Sequence, residues 1–233
     1  MLYTEQNVLA SLRVREGKRV FYLRTEDKLT PAARDLLHRE GIEILSWETH
    51  GPKHYTTLFG GVFEKKPEHM THLTGNILVP KDHPRIVLRG MVDALEGKIL
   101  LCQHRAAEEN HKELVKMLGE MLNFVRKLMR ADVLDEPVGE FHLCGLDAKS
   151  LREQSHNPGK FFGIPFFMPE HTDGVLMLLL NEVRAFTRRT ELACYRAYTD
   201  RDGKPVREDM ICAYNRLSSL CWILMVRCKA GSL

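Results

Sequence analysis

The chain has 233 residues, 44% of them apolar and 28% charged, with 34 Lys and Arg against 31 Asp and Glu for a net charge of +3. That is enough for one sizeable core with a small appendage, and the near-balance of charge excludes a protein that coats nucleic acid by neutralising phosphates. The longest apolar runs, Val175–Leu180 and Leu220–Val226, fall far short of the ~20 residues that cross a bilayer, so no membrane partner is expected.

Residues Met1 to Glu16 mix charged with apolar residues and offer neither a hydrophobic signal region nor a cleavage site, which predicts a cytoplasmic chain. A small α/β unit is expected over residues 1–50. Arg19–Leu23 reads as a strand, Thr30 as a helix cap with Pro31 at the first helical position, Gly41 as the stop, and Ile42–Leu45 as a second strand. From Thr49 to Lys81 periodicity disappears among glycines, prolines and histidines, which predicts a long loop; residues 51–82 form the expected second segment.

After Pro84 the pattern is helical. Val87, Met91, Ala94, Leu95, Ile99, Cys102 and Ala106 recur at three-and-four spacing, followed by Leu114, Met117, Leu118, Met121, Phe124, Val125 and Leu128, which predicts two antiparallel helices. Asp135–Gly145 breaks the run, Asp147–Ser155 permits a short helix, and Asn157–Pro169 is irregular. Two more helices, about Asp173–Tyr198 and Arg207–Arg227, flank the turn Asp200–Gly203. The six cysteines, Cys102, Cys144, Cys194, Cys212, Cys221 and Cys228, contain no Cys-x-x-Cys pair and read as reduced thiols. The expected fold is mainly α: a four- to five-helix bundle over residues 83–233 with the N-terminal α/β appendage.

On the helix from Asp173, Leu176, Leu179, Leu180, Val183, Thr187, Thr190 and Cys194 form one face and leave Arg184, Arg188, Glu191 and Tyr195 aligned on another. One reading is a solvated stripe laced by salt bridges; the other is a polyphosphate clamp, since guanidinium forks match phosphate oxygens in a bidentate way. In Thr71-His-Leu-Thr-Gly-Asn76, with Lys81 and Arg85 beyond it, a glycine among hydroxyl side chains could let backbone N–H groups approach phosphates, or simply make a turn. His69, His72 and His83 lie near one another, but a His-x-x-His in a loop with no nearby Cys and no convincing carboxylate ligand favours a non-metallic role. Phe161, Phe162, Phe166 and Phe167 read as core packing, or as an apolar wall against a large flat ligand.

The segment Cys212-Ala-Tyr-Asn-Arg-Leu-Ser-Ser-Leu-Cys-Trp-Ile-Leu-Met-Val-Arg227 resembles the last-helix signature of the ATP:cob(I)alamin adenosyltransferases. Pro80–Ile86 with Gly90–Leu95 resembles the same superfamily's loop-to-helix junction, Val183–Glu191 its Arg-rich helix, and Phe166–Pro169 its Phe-x-x-Pro segment, all in the right order. Lys66–Leu73, Leu128–Pro137, Leu29–Leu36 and Gly41–Ile44 are similar to the ethanolamine-utilisation branch in particular, so nearly the whole chain is covered. The chain departs from the superfamily's pattern as well: Leu192 stands where an Arg is common, Ser219 where an Asp is common, and the nucleotide loop is reduced to Thr74-Gly75-Asn76.

This resemblance implies transfer of the 5′-deoxyadenosyl group of ATP, with Mg²⁺, to the cobalt of cob(I)alamin, in a homotrimer with sites between subunits, or alternatively a dimer. It implies catalytic roles for Arg184, Arg188 and Asp93, ATP contacts from Thr71, Thr74, Gly75, Lys81, Arg184, Arg188, Glu191 and Asn215, and corrin contacts from Phe166 and Phe167. Some members of the branch carry a Cys-rich metal motif that is missing here, so no structural zinc and no metal ligands are expected. A cobalamin reductase or an adenosylcobalamin-dependent ammonia-lyase is the expected partner, and a bacterial microcompartment the expected setting beyond the cytoplasm. The competing function is a non-catalytic helical interaction or cobalamin-carrier module of such a compartment.

Overall fold

The computed structural model describes residues 1–15, 17–50 and 55–233, and the chain divides into two compact units, Met1–Pro67 and Glu68–Leu233. In the first, β1 (Leu2–Tyr3), α1 (Glu5–Ser11), β2 (Arg13–Arg15), β3 (Lys18–Leu23), β4 (Lys28–Leu29), α2 (Pro31–Arg39), β5 (Glu43–Ser46), α3 (Trp47–His50), β6 (Tyr55–Thr57) and β7 (Val62–Phe63) follow in order. Helix α2 begins as its sequence dictates: Thr30 accepts a 3.2 Å hydrogen bond from the Ala33 N–H, and Pro31 takes the first turn, where a missing N–H costs nothing. It carries the chain from β3 to β5, which pair in parallel with Val20 opposite Glu43 and Leu23 opposite Ser46. Strand β2 adds antiparallel to β3. Val8, Phe21, Ala33, Leu36, Leu37 and Ile42 make the small core of this unit. The strand, helix, strand piece is as the sequence predicts; α1, β1, β2 and β4 lack a periodic signal strong enough to read.

The second unit opens on β8 (Met70–Thr74) and β9 (Ile77–Pro80), an antiparallel hairpin turned at Gly75, whose φ of +50° favours glycine. Here the expected long loop from Thr49 to Lys81 is corrected: Thr49 and His50 end α3, and the short strands β6 to β9 follow with turns between them, apart from residues 51–54, which lie outside the described residues. A register shift between His72 and Thr74 interrupts the two-residue alternation, which is why the strand reads as patternless.

The bundle follows: α4 (Pro84–Glu108), α5 (Lys112–Leu134), a small hairpin of β10 (His142–Leu143) and β11 (Leu146–Asp147), α6 (Ala148–His156), α7 (Pro158–Phe162), a 3₁₀ turn at His171–Asp173, α8 (Val175–Ala197) and α9 (Glu208–Lys229). Helix α8 packs along both α4 and α9, α5 along α4, and α6 against α9. Asp147 caps α6 through a 2.7 Å bond from the Ser150 N–H. Three residues join α4 to α5, short enough to force the antiparallel pair that the spacing predicts. Among the described residues no helix is long and apolar enough to cross a membrane.

The core face of α5 is the predicted one, but that of α4 is rotated in its first half. Val87 is 47% exposed and Ala94 is also exposed, while Leu88 and Val92 are buried. Arg85 and Arg89 explain the rotation, since both Nε atoms reach Asp132 of α5, at 2.9 and 2.5 Å, from the side they share with Leu88 and Val92. Asp132 is 2% exposed and also accepts the Tyr198 hydroxyl proton. A buried carboxylate needs this many donors to offset its desolvation, and they hold its pKa below the ordinary value against burial, which pushes it up. Arg89 also donates to the Leu73 carbonyl at 2.8 Å, which ties the β8–β9 hairpin to the bundle. The thiols are all free; burial pushes Cys102 and Cys194 up to about 12 and Cys221 to about 11, as befits small core residues.

A second polar clasp joins the segment after α5 to α9. Arg207 forks onto both Asp209 oxygens at 2.9 Å, and Asp209 accepts the Val138 N–H at 3.0 Å. The Arg207 fork holds the Asp209 carboxyl down to about 2, below the ~3.9 of a free aspartate. Its contribution to stability is therefore complete above the unfolded value and lost as pH falls through the folded one. In thermal melts the gap between the chain and Asp209→Asn is expected to be full above about pH 5 and to narrow as pH falls from about 4 to about 2. A gap independent of pH contradicts the clasp.

Candidate active site

Helix α9 is buried around most of its circumference, from Met210, Ala213 and Tyr214 through Leu217 and Leu220 to Ile223, Leu224 and Met225. Asn215, Ser218, Ser219 and Trp222, spaced i, i+3, i+4 and i+7, form one strip on it. That strip is one wall of a cleft of about 370 Å³. The other walls are Arg184 and Arg188 from α8, Ser155 and His156 from the end of α6, and Phe166–Pro169 from the irregular segment before α8.

The polar side is preorganised. Asn215 donates through its amide nitrogen to Glu191 at 2.7 Å, and its carbonyl oxygen accepts from Arg216 at 2.9 Å, which fixes the amide's orientation. Arg184 donates to the Asn181 side chain at 3.0 and 3.2 Å. Among the described residues no carboxylate pairs with either Arg184 or Arg188, although Glu191 lies on the same helix three residues beyond Arg188; its carboxylate is turned to Asn215 instead. The salt-bridge-laced stripe is therefore not what forms. Two guanidinium groups open into one cleft without a counter-charge, the arrangement an anionic ligand completes.

The apolar side is aromatic. Phe166 stacks on Trp222 with ring centroids 5.7 Å apart and planes 11° from parallel, and Phe167 meets the same indole at 5.1 Å and 31°. The four phenylalanines thus divide: Phe162 and Phe167 pack against the core, while Phe161 and Phe166 remain exposed, Phe166 by 66%. His156 Nδ1 donates to the Arg152 carbonyl at 2.8 Å, which fixes the ring's orientation.

Of the residues proposed from sequence, Arg184, Arg188, Asn215, Phe166 and Phe167 meet in the cleft, and Glu191 joins them through Asn215. Thr71 and Thr74 lie on β8, Gly75 at its turn and Lys81 just beyond β9, and none of them lines the cleft. Asp93 is exposed on α4, also outside it. Trp222, Ser218 and His156 were not foreseen. The signal for the first two is the interruption of an otherwise apolar helix at helical spacing; nothing in the sequence singles out His156. Among the described residues no group of three or more His, Cys, Asp or Glu is placed to hold a metal ion.

The family of cobalamin adenosyltransferases matches residues 62–228, which include every residue of the cleft. The chain belongs to the cobalamin adenosyltransferase family. It is 28% identical to the corrinoid adenosyltransferase EutT of Salmonella typhimurium strain LT2, over 96% of this chain and 90% of that protein. Similarity to the EutT protein of Escherichia coli K12 has the same identity and coverage. No solved structure matches. As a corrinoid adenosyltransferase the chain moves the adenosyl group of ATP onto a corrinoid; an anion and a large flat ring are the pair of chemistries that the two sides of the cleft offer.

If Arg188 meets a phosphate, Arg188→Ala should slow adenosyl transfer by about a hundredfold or more, the loss expected when one preorganised donor to developing charge is removed. Helix content by circular dichroism should stay unchanged, because the side chain is exposed. A rate equal to that of the unaltered enzyme would return the stripe to a solvated face.

Proposed function

We propose that this adenosyltransferase makes adenosylcobalamin for ethanolamine utilisation, with the triphosphate of ATP on Arg184 and Arg188 and the corrin against Phe166 and Phe167. The observation that carries the reading is the pair of guanidinium groups without counter-carboxylates opening into the same cleft as the exposed Phe166 ring.

The chemistry asks little covalent work of the protein. Cobalt as cob(I) is the nucleophile: its electron pair forms the Co–C5′ bond as the C5′–O5′ bond breaks, and the bonding pair of that bond leaves on the triphosphate oxygen. Arg184 and Arg188 spread that growing negative charge, and do so from fixed positions. Asn215, locked between Glu191 and Arg216, offers its amide edge beside them and helps hold C5′ in line. Magnesium fits this site as a companion of the triphosphate, since it is held by phosphates with one or two carboxylates rather than by a protein cage. Glu191 is the carboxylate at hand, and the ion would neutralise phosphate charge there. Phe166 and Phe167 exclude water and the axial base from the lower corrin face, which lowers the cobalt orbital that accepts an electron and eases reduction of cob(II).

The remaining residues suit a second copy of the chain. Asp93 stands on the exposed side of α4, free to meet Arg184 of a neighbouring subunit in a homotrimer, and Thr71, Thr74, Gly75 and Lys81 would then close over the nucleotide. Asp93→Asn should lower activity and weaken assembly together, because the arginine loses its counter-charge. Sedimentation beside the rate checks this; activity lost at unchanged mass would put Asp93 in the site but not at the interface.

The test of the reading itself is the loss of the cob(I) absorption on adding ATP. It should require ATP, and Phe166→Ala should slow turnover far more when the assay starts from cob(II)alamin with reduced flavin than when it starts from cob(I)alamin. Equal defects from both starting states would mean that the ring only supports the fold.

A further inference from the structure

Phe166 sits on a segment with little to hold it. Between the end of α7 at Phe162 and the 3₁₀ turn at His171 the chain has no helix or strand, and the Phe166 ring is 66% exposed. Yet excluding an axial base is mechanical work: a ring that can swing back when a corrin presses on it excludes nothing. Something behind the ring must resist.

Trp222 is placed to do so. Its indole lies 11° from parallel to Phe166 at 5.7 Å, and Phe167 rests against it at 5.1 Å. It belongs to α9, whose neighbours Cys221, Ile223, Leu224, Met225 and Val226 are all buried, so the platform is rooted in a firmly packed helix of the bundle. Phe167 is fixed a second time, by the core and by Lys229 lying 5.6 Å over its ring; for Phe166, Trp222 is the one ring contact among the described residues. The indole N–H is buried and has no hydrogen-bond partner among the described residues. A buried donor left unpaired is unfavourable, so the hydrogen bond is not what this tryptophan contributes here. Its broad face is, because the indole contacts two phenyl rings at once.

We infer that Trp222 is a positioning residue for cobalt reduction: it backs Phe166 and Phe167 and so fixes how firmly the aromatic wall meets the corrin. The inference rests on the proposal that Phe166 faces the corrin. Its role runs through the two phenylalanines it contacts rather than through a reacting atom.

The test compares Trp222→Leu, Trp222→Phe and Phe166→Ala in the full-length enzyme, with ATP and cob(II)alamin as the probe and reduced flavin as the electron donor. Two quantities are read: the electron paramagnetic resonance signal of bound cob(II)alamin that has lost its axial base, and the ratio of the turnover rate from cob(II) to that from cob(I). Trp222→Leu should diminish the base-free signal and lower the ratio by about three- to tenfold, the equivalent of one aromatic contact, and Trp222→Phe should restore most of both. Folding is checked by circular dichroism, with Trp222→Phe as the variant that keeps a ring in place. An unchanged signal and ratio in Trp222→Leu, beside a loss in Phe166→Ala, overturns the inference and leaves the parent reading intact. No loss in Phe166→Ala overturns both.

Discussion

Helix α9 is buried along almost its whole circumference, and every other part of the site follows from where it is not. A helix that buries this much of its circumference packs on several sides at once, and α8, α6 and α5 gather around it. Its strip of Asn215, Ser218, Ser219 and Trp222 lines the cleft, the polar members open to a ligand and the indole against Phe166 and Phe167. The packing of α8 on α9 brings Arg184 and Arg188 to the rim of that strip, and the Glu191–Asn215 bond ties the two helices at the same level. That bond has a consequence for charge. Glu191 turns to Asn215 rather than to the arginines, so among the described residues Arg184 and Arg188 face the cleft without a paired carboxylate.

Stability and function draw on different charged groups. Asp132 gathers Arg85, Arg89 and Tyr198 away from solvent, and Asp209 holds Arg207. These clasps, the first buried and the second half-buried, fix the ends of α4, α5 and α9 and are satisfied within the chain. Arg184 and Arg188 are the opposite case, exposed or half-exposed and short of a counter-charge. A protein that stabilises its fold with paired charges and leaves a few unpaired in a cleft marks the binding surface by that difference.

Much of this was legible in the sequence wherever period and burial coincide. The strands about Val20 and Leu45, the cap at Thr30, the core face of α5 and the stripe on α8 all follow from spacing, and the resemblance carried by Asn215–Ser218 and Val183–Glu191 gave the chemistry. What failed did so for physical reasons. The β8–β9 hairpin hides behind a register shift, and the first half of α4 turns to bring Arg85 and Arg89 to Asp132, a tertiary demand that hydrophobic spacing does not contain. Asp132 itself could have been noticed, because it falls at the core position that continues Met121, Val125 and Leu128. The pairing of Phe166 with Trp222 joins residues more than fifty positions apart, and spacing says nothing about it.

The central claim is that one cleft holds both substrates, with the triphosphate on the α8 arginines and the corrin on the aromatic wall. It is tested most directly by a crystal structure of the enzyme with cob(II)alamin and ATP bound. The account predicts triphosphate density within hydrogen-bonding distance of Arg184 and Arg188, and the lower corrin face in van der Waals contact with Phe166. A structure in which the corrin lies elsewhere, or in which the triphosphate is held without either arginine, would contradict it.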